Sequence, residues 1–293
     1  MTARSFRGLF LILVLFAPCW AQTGYLKLNR DGRGAPDKLQ TAVVSFRGPN
    51  GQTVDLISVI HVGEKSYYHR LNQFFKKYDG VLYEMVLDVP KRVAHQNQVR
   101  QLLGRDKREP KIDTGKAGKD AVSVLQRKLA EVLELSHQLT VIDYGAENFR
   151  HADLTLEEFE EAMKAKERSP LDILKDLLAG DDEQGPPEYR ELSKLPLLKI
   201  WAQGPDDEER AVLKTGLAAY FAQTKDISNE IQGEVLIALR NERALEVLQQ
   251  RLQRKDRKLA IFYGAAHMPH FARRLREMGY VPISKSWIQA WDL

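Results

Sequence analysis

Leu56-Ile57-Ser58-Val59-Ile60-His61-Val62-Gly63 and Leu259-Ala260-Ile261-Phe262-Tyr263-Gly264-Ala265-Ala266-His267-Met268-Pro269-His270 are two stretches of one kind. Each is an apolar, partly β-branched run that ends in a histidine, and such runs read as buried strands. A helical pattern follows each. After His61, Tyr67, Tyr68, Leu71, Phe74, Phe75 and Tyr78 recur at helical spacing. After His267, Pro269 fits a first helical position, and Met268, Phe271, Leu275 and Met278 form one stripe. The sequence thus shows strand, histidine and helix twice. In open α/β sheets, ligands bind beyond the carboxyl ends of the strands, where both histidines would stand.

A third stretch, Asp79-Gly80-Val81-Leu82-Tyr83-Glu84-Met85-Val86, reads as the strand after the first helix. A carboxylate in an apolar strand is unusual, because burying it unpaired is costly. Glu84 falls near the same sheet end as His61. Two imidazoles and a carboxylate form a common catalytic zinc set, and they also suit manganese or cobalt. Cys19 is the single cysteine, so neither an intrachain disulfide nor a thiolate zinc site is expected. The competing explanation for Glu84 is a salt bridge, with Arg243 as partner.

The order of these motifs resembles the TraB/PrgY/GumN family, which is similar to the Tiki metalloproteases and, more distantly, to erythromycin esterases and ChaN-like haem-binding lipoproteins. The matching residues are His61, Glu84, Asn241-Glu242-Arg243 and Gly264-Ala265-Ala266-His267. Ser58 stands where the family has the glycine of its first Gly-x-x-His motif. The resemblance covers the two ends of the chain and implies a metal-dependent, peptidase-like hydrolase. His61, Glu84 and His267 would be the ligands of manganese, cobalt or zinc. Glu84 and Arg243 would be catalytic, Arg243 meeting an oxyanion or a substrate carboxylate. Its relatives imply two alternatives: a metal-free His/Glu esterase-type hydrolase, and an exported haem- or ligand-binding protein with Tyr83 or Tyr263 on the iron. A family member that only binds a partner is a third.

The 293 residues suffice for one large core. A formal net charge of +4, without basic runs interleaved with aromatics, argues against a nucleic-acid partner. Arg4 and Arg7 precede the apolar run Leu9 to Phe16, which predicts a signal peptide over residues 1–21 and a periplasmic or extracellular protein. Attachment to a membrane would need an uncleaved anchor or a lipidated Cys19, and Pro18 departs from the small residue expected before such a cysteine. The substrate expected is a peptide or small molecule, and oligomeric state is not legible.

The fold class predicted is α/β, with α+β as the alternative: a mixed sheet flanked by helices, in a single domain over 22–293 with a mainly helical insertion at about 120–225. Runs 41–46 and 53–58 flank Gly48-Pro49-Asn50-Gly51 and read as a hairpin. Leu139 to Gly145 reads as a further strand, with Asp143 a turn-capping residue or a secondary ligand candidate. Thr155 and Glu158 form a capping-box pattern. Helices are expected at about 170–179, 188–202, 206–222 and 228–254. In the last, Leu236, Leu239 and Val247 fall at helical spacing around Arg243 and predict its burial, while Asn241 lies near Ile237, Leu245 and Leu248. His69 and His270 are expected at the surface, and Trp287 and Trp291 on one side of a packing strand. No Gly-x-Ser-x-Gly elbow, P-loop, dinucleotide fingerprint or His-Glu-x-x-His occurs.

Overall fold

A computed structural model describes residues 24–86, 121–165, 187–192, 194–222, 237–254 and 256–293. The expected signal peptide, the loop before residue 121 and the helix at 170–179 lie outside these residues. Among the described residues no helix is long and apolar enough to cross a membrane.

The protein is α/β, built on one mixed sheet. Strand β1 (Leu26–Arg30) leads into β2 (Pro36–Arg47), which turns back through the expected hairpin into β3 (Thr53–Val59). Gly51 lies at φ +80 in that turn, a conformation that L side chains rarely adopt, and its N–H closes on the Gly48 carbonyl at 3.0 Å. The short β4 (Val62–Gly63) precedes α1 (Lys65–Phe75), which buries Tyr67, Tyr68, Leu71 and Phe75. Strand β5 (Gly80–Tyr83) follows.

Beyond residue 120 come α2 (Ala121–Val132), β6 (Ser136–His137), the one-turn helix α3 (Gln138–Val141) and β7 (Phe149–His151). Next are α4 (Leu156–Ala165), α5 (Pro187–Leu192), α6 (Leu197–Gln203) and α7 (Asp207–Ala222). The chain closes with α8 (Leu239–Gln253), β8 (Lys258–Gly264), a 3-10 turn (Ala265–His267), α9 (Met268–Glu277) and β9 (Val281–Asp292).

Strands β3, β8, β5 and β7 run parallel in that spatial order, while β1, β2, β3 and β9 pair antiparallel. The parallel half is apolar throughout, with Leu56, Ile57, Val81, Leu82, Leu259, Ala260 and Ile261 fully buried. Strands covered on both faces lose the alternation of half-buried ones, which is why these runs read as continuous.

The structure departs from expectation at three points. Leu139 to Gly145 is no strand: it begins in the α3 turn and ends in a bend where Asp143 Oδ1 accepts the Gly145 N–H at 3.1 Å. Besides β8, β5 is flanked by β7, a strand the sequence did not reveal. The expected helix over 188–202 is two helices, parted before Pro196, whose ring removes a backbone donor. The tryptophans differ too. A register shift in the β2–β9 pairing sets Gln289 opposite Gln40 but Trp291 opposite Leu39, so the alternation from Trp287 is broken. Trp291 is fully buried and donates to the Val62 carbonyl at 2.7 Å, whereas Trp287 carries Lys285 over its ring.

Candidate functional site

Each of the four parallel strands delivers a polar side chain at its carboxyl end. His61 follows β3, Glu84 follows β5, His267 closes the turn after β8, and Asp153 follows β7. The parallel register places Val59 beside Gly264 and Tyr83 beside Phe262, which brings the three sequence-predicted ligands to one edge.

The focus is Gly264. A Cβ built there would lie 3.3 Å from Glu84 Oε2, 3.6 Å from His61 Nε2 and 3.8 Å from His267 Cδ2. Glycine leaves this point open, and its N–H donates to Glu84 Oε2 at 2.7 Å. The Glu84 backbone is fixed as well, by donation to the Phe262 carbonyl at 3.1 Å. The second oxygen, Oε1, lies 3.4 Å from His267 Nε2 and accepts from Arg240 at 2.8 Å. Burial alone would raise the Glu84 pKa, but the charges of His267 and Arg240 and, more weakly, His61 hold it well below the usual carboxylate range.

Both imidazoles are oriented through their Nδ1 atoms. Asn241 is fully buried on α8 and donates its amide to the His267 carbonyl at 3.0 Å. That bond turns Asn241 Oδ1 toward His267 Nδ1, 2.5 Å away, so Nδ1 carries a proton and Nε2 is the ring nitrogen that faces Glu84. His61 Nδ1 lies 3.1 Å from Gln138 Oε1, while the Gln138 amide donates to the Tyr144 hydroxyl at 2.6 Å. His61 therefore also keeps Nε2 for the point above Gly264. Gln138 is held in register because β6 pairs with β4 and its own N–H donates to the His61 carbonyl at 2.8 Å.

Arg243, the arginine singled out in the sequence, sits elsewhere. Its guanidinium donates to Glu158 at 2.9 Å and lies 3.7 Å from Glu246. The stripe expected to bury it is displaced, since Leu239 is 40% exposed while Ile237, Asn241, Ala244, Leu245 and Leu248 are buried. A π-helical turn at Ile237 and Ala238 precedes this helix. The arginine at Glu84 is Arg240, nearly one turn earlier, which also grips Asp153 at 2.6 and 3.0 Å. The Asp153 side chain is fully buried. Asp153, Arg240 and Gln138 are the site residues that sequence reasoning missed. Asp153 follows β7 as Glu84 follows β5, but β7 is only Phe149-Arg150-His151 and gives no apolar run to mark it.

The remaining described histidines separate cleanly, and His95 lies outside the described residues. His69 is exposed, as expected. His270 is buried, contrary to expectation, with Nδ1 3.3 Å from the Asn241 amide nitrogen. His151 is buried with Nε2 2.7 Å from the Met85 carbonyl, and His137 is buried beside Gln126. Ser58 is fully buried and donates to the Tyr25 carbonyl at 3.0 Å, which ties the first motif to the residue before β1. Tyr83 and Tyr263, the haem-ligand candidates, are core residues, and the Tyr263 hydroxyl donates to the Ala152 carbonyl.

Among the described residues no group of three or more His, Cys, Asp and Glu side chains is placed so as to hold a metal ion. The three expected ligands border the space above Gly264, but both Glu84 oxygens already accept hydrogen bonds. No protein-family model, no curated protein and no solved structure matches the chain.

Proposed function

We propose that this protein is a divalent-metal-dependent hydrolase of the TraB/GumN type, with His61, Glu84 and His267 as metal ligands. One observation carries the reading. Glu84 Oε2, His61 Nε2 and the ring edge of His267 border the space above Gly264, His267 Nε2 faces Glu84 Oε1, and the described charged groups around Glu84 sum to a negative value. Formally, Glu84 and Asp153 contribute two negative charges and Arg240 one positive. Were both imidazoles neutral, as metal ligands are, this count would leave room for one further cation. The 3.4 Å between His267 Nε2 and Glu84 Oε1 suits a shared ion, because donors about 2.0–2.2 Å from a tetrahedral ion lie about 3.3–3.6 Å apart.

When bound, such an ion acidifies water and polarises a carbonyl. The chain's own residues supply the rest. Asn241 and Gln138 hold the ring tautomers, as the outer partners of histidine ligands do. The Gly264 N–H fixes Glu84. Arg240 brings a permanent positive charge to the site edge, where a tetrahedral oxyanion would be stabilised, the role expected of Arg243. Partly exposed His61 leaves that side open to substrate. A peptide amide as substrate follows from the resemblance.

The test is metal content of protein purified without an affinity-tag metal, followed by cleavage of a peptide library. His61→Ala and His267→Ala are expected to stay folded and to lose both the ion and cleavage. Wild-type protein that takes up no manganese, cobalt or zinc would refute the reading. One observation favours a metal-free His/Glu hydrolase instead: Arg240 already sits on Glu84 Oε1, and a proton on His267 would balance the cluster. Cleavage that survives exhaustive chelation would support that alternative.

A further inference from the structure

The proposed ligand set gives no role to Asp153, although a fully buried carboxylate needs a strong reason to be there. Asp153 takes two bonds from the Arg240 guanidinium, at 2.6 and 3.0 Å, where Glu84 takes one, at 2.8 Å. Arg240 is thus divided between two carboxylates, with the two-toothed grip on Asp153. The oxygen it touches on Glu84 is Oε1, the same oxygen that faces His267 Nε2. Oε2 is turned to the Gly264 N–H. A guanidinium and a divalent ion would therefore compete for one oxygen.

We propose that Asp153 is a positioning residue that draws Arg240 away from Glu84 and so sets the affinity of the site for a divalent cation. The inference rests on the metal-site reading above. Because Asp153 bonds Arg240 with both oxygens, Arg240 keeps a counter-charge when Glu84 turns to an ion. No buried cation is stranded, and the fold can hold the site with or without metal. Without the charge of Asp153, the attraction between Arg240 and Glu84 is unopposed, and Oε1 becomes harder to free. With Arg240 removed too, that competition ends. The bidentate geometry matters here, since a planar guanidinium can bridge two carboxylates at once where an ammonium cannot.

The experiment is a Mn2+ titration by calorimetry, with electron paramagnetic resonance of bound Mn2+, on full-length wild type, Asp153→Asn and the double variant Asp153→Asn/Arg240→Met. Thermal unfolding is recorded on the same samples. Asp153→Asn is expected to bind Mn2+ about 10–100-fold more weakly, the scale of lost outer-shell partners. The double variant, which removes both charges together, is expected to bind at least as tightly as wild type. If Asp153 only supports the fold, Asp153→Asn melts earlier but binds Mn2+ with unchanged affinity, and the inference is overturned. Should Asp153→Asn not fold, the double variant decides, and weaker binding than wild type overturns it. Folded wild type that binds no Mn2+ defeats the metal reading and this inference together. Wild-type binding with an unchanged Asp153→Asn defeats this inference alone.

Discussion

Gly264→Ala separates the site from the fold more cleanly than removal of a ligand does. The backbone at Gly264 has φ −53 and ψ 147, ordinary values for an L residue, so alanine meets no conformational penalty. Restricting the unfolded chain should stabilise by about 0.4–1 kcal/mol. Against this, the new methyl lies 3.3 Å from Glu84 Oε2, which must shift by a few tenths of an ångström. Glu84 is tethered at both oxygens, so that shift strains the 2.7 Å bond from Gly264 and costs about 1 kcal/mol. The two effects nearly cancel, and stability should stay within about 1 kcal/mol of wild type. Binding should not survive so well. The methyl takes the position among Glu84, His61 and His267, and Mn2+ affinity is expected to fall at least about 100-fold, or about 2.7 kcal/mol. Urea denaturation and Mn2+ calorimetry on one preparation measure both. A variant that binds Mn2+ like wild type would place the ion elsewhere. A loss above about 3 kcal/mol of stability would mean that the strand end is not as relaxed as its dihedrals imply.

Other expectations follow from the same geometry. Thr155→Ala removes the Oγ1 that accepts the Glu158 N–H at 3.3 Å and should cost about 1 kcal/mol in urea denaturation, with Mn2+ affinity unchanged. Arg243→Ala loses a partly exposed ion pair with Glu158 and should cost about 1 kcal/mol, also without changing Mn2+ affinity; a large loss of affinity would return Arg243 to the site. Burial, then the charges of His61 and Arg127, lower the His137 pKa from 6.5 to about 4. The unfolded chain therefore binds the proton first, and stability should be lost as pH falls from about 6.5 to about 4, by up to about 1.4 kcal/mol per unit. His137→Gln should flatten that slope between pH 7 and pH 5, and an unchanged slope would assign it to other groups.

Much of this was readable from residues alone, because the informative signals were long or paired. The hairpin announced itself through two β-rich runs and a glycine turn. Two strand–histidine units placed their histidines at one sheet edge, since parallel neighbours in such a sheet end together. The misses have physical causes. Strand β7 spans three residues, too few for any period, and it is a strand because β5 offers it an edge. On α8, leucines at helical spacing outlined one stripe, while the buried one includes Asn241, a polar residue whose burial is compensated by bonds to His267 and His270. The leucine stripe supported Arg243, which the family resemblance had singled out, while Arg240 is the arginine that meets Glu84. Asp153 was masked by its neighbours, for Thr155 and Glu158 claimed the same segment as a helix start.

Trp291 reaches back to the Val62 carbonyl across 229 residues of sequence, and β8 is inserted between β3 and β5. A ribosome releases the halves of this site in the wrong order for early assembly. His61 and Glu84 are made long before β8, the strand that must lie between them. Until then, the nascent chain has a gap in its sheet and no second imidazole. Pairings so distant in sequence fold slowly, because the intervening chain must be closed before any contact rewards it. The three groups around Gly264 therefore come together only once β8 has been made and seated between its neighbours.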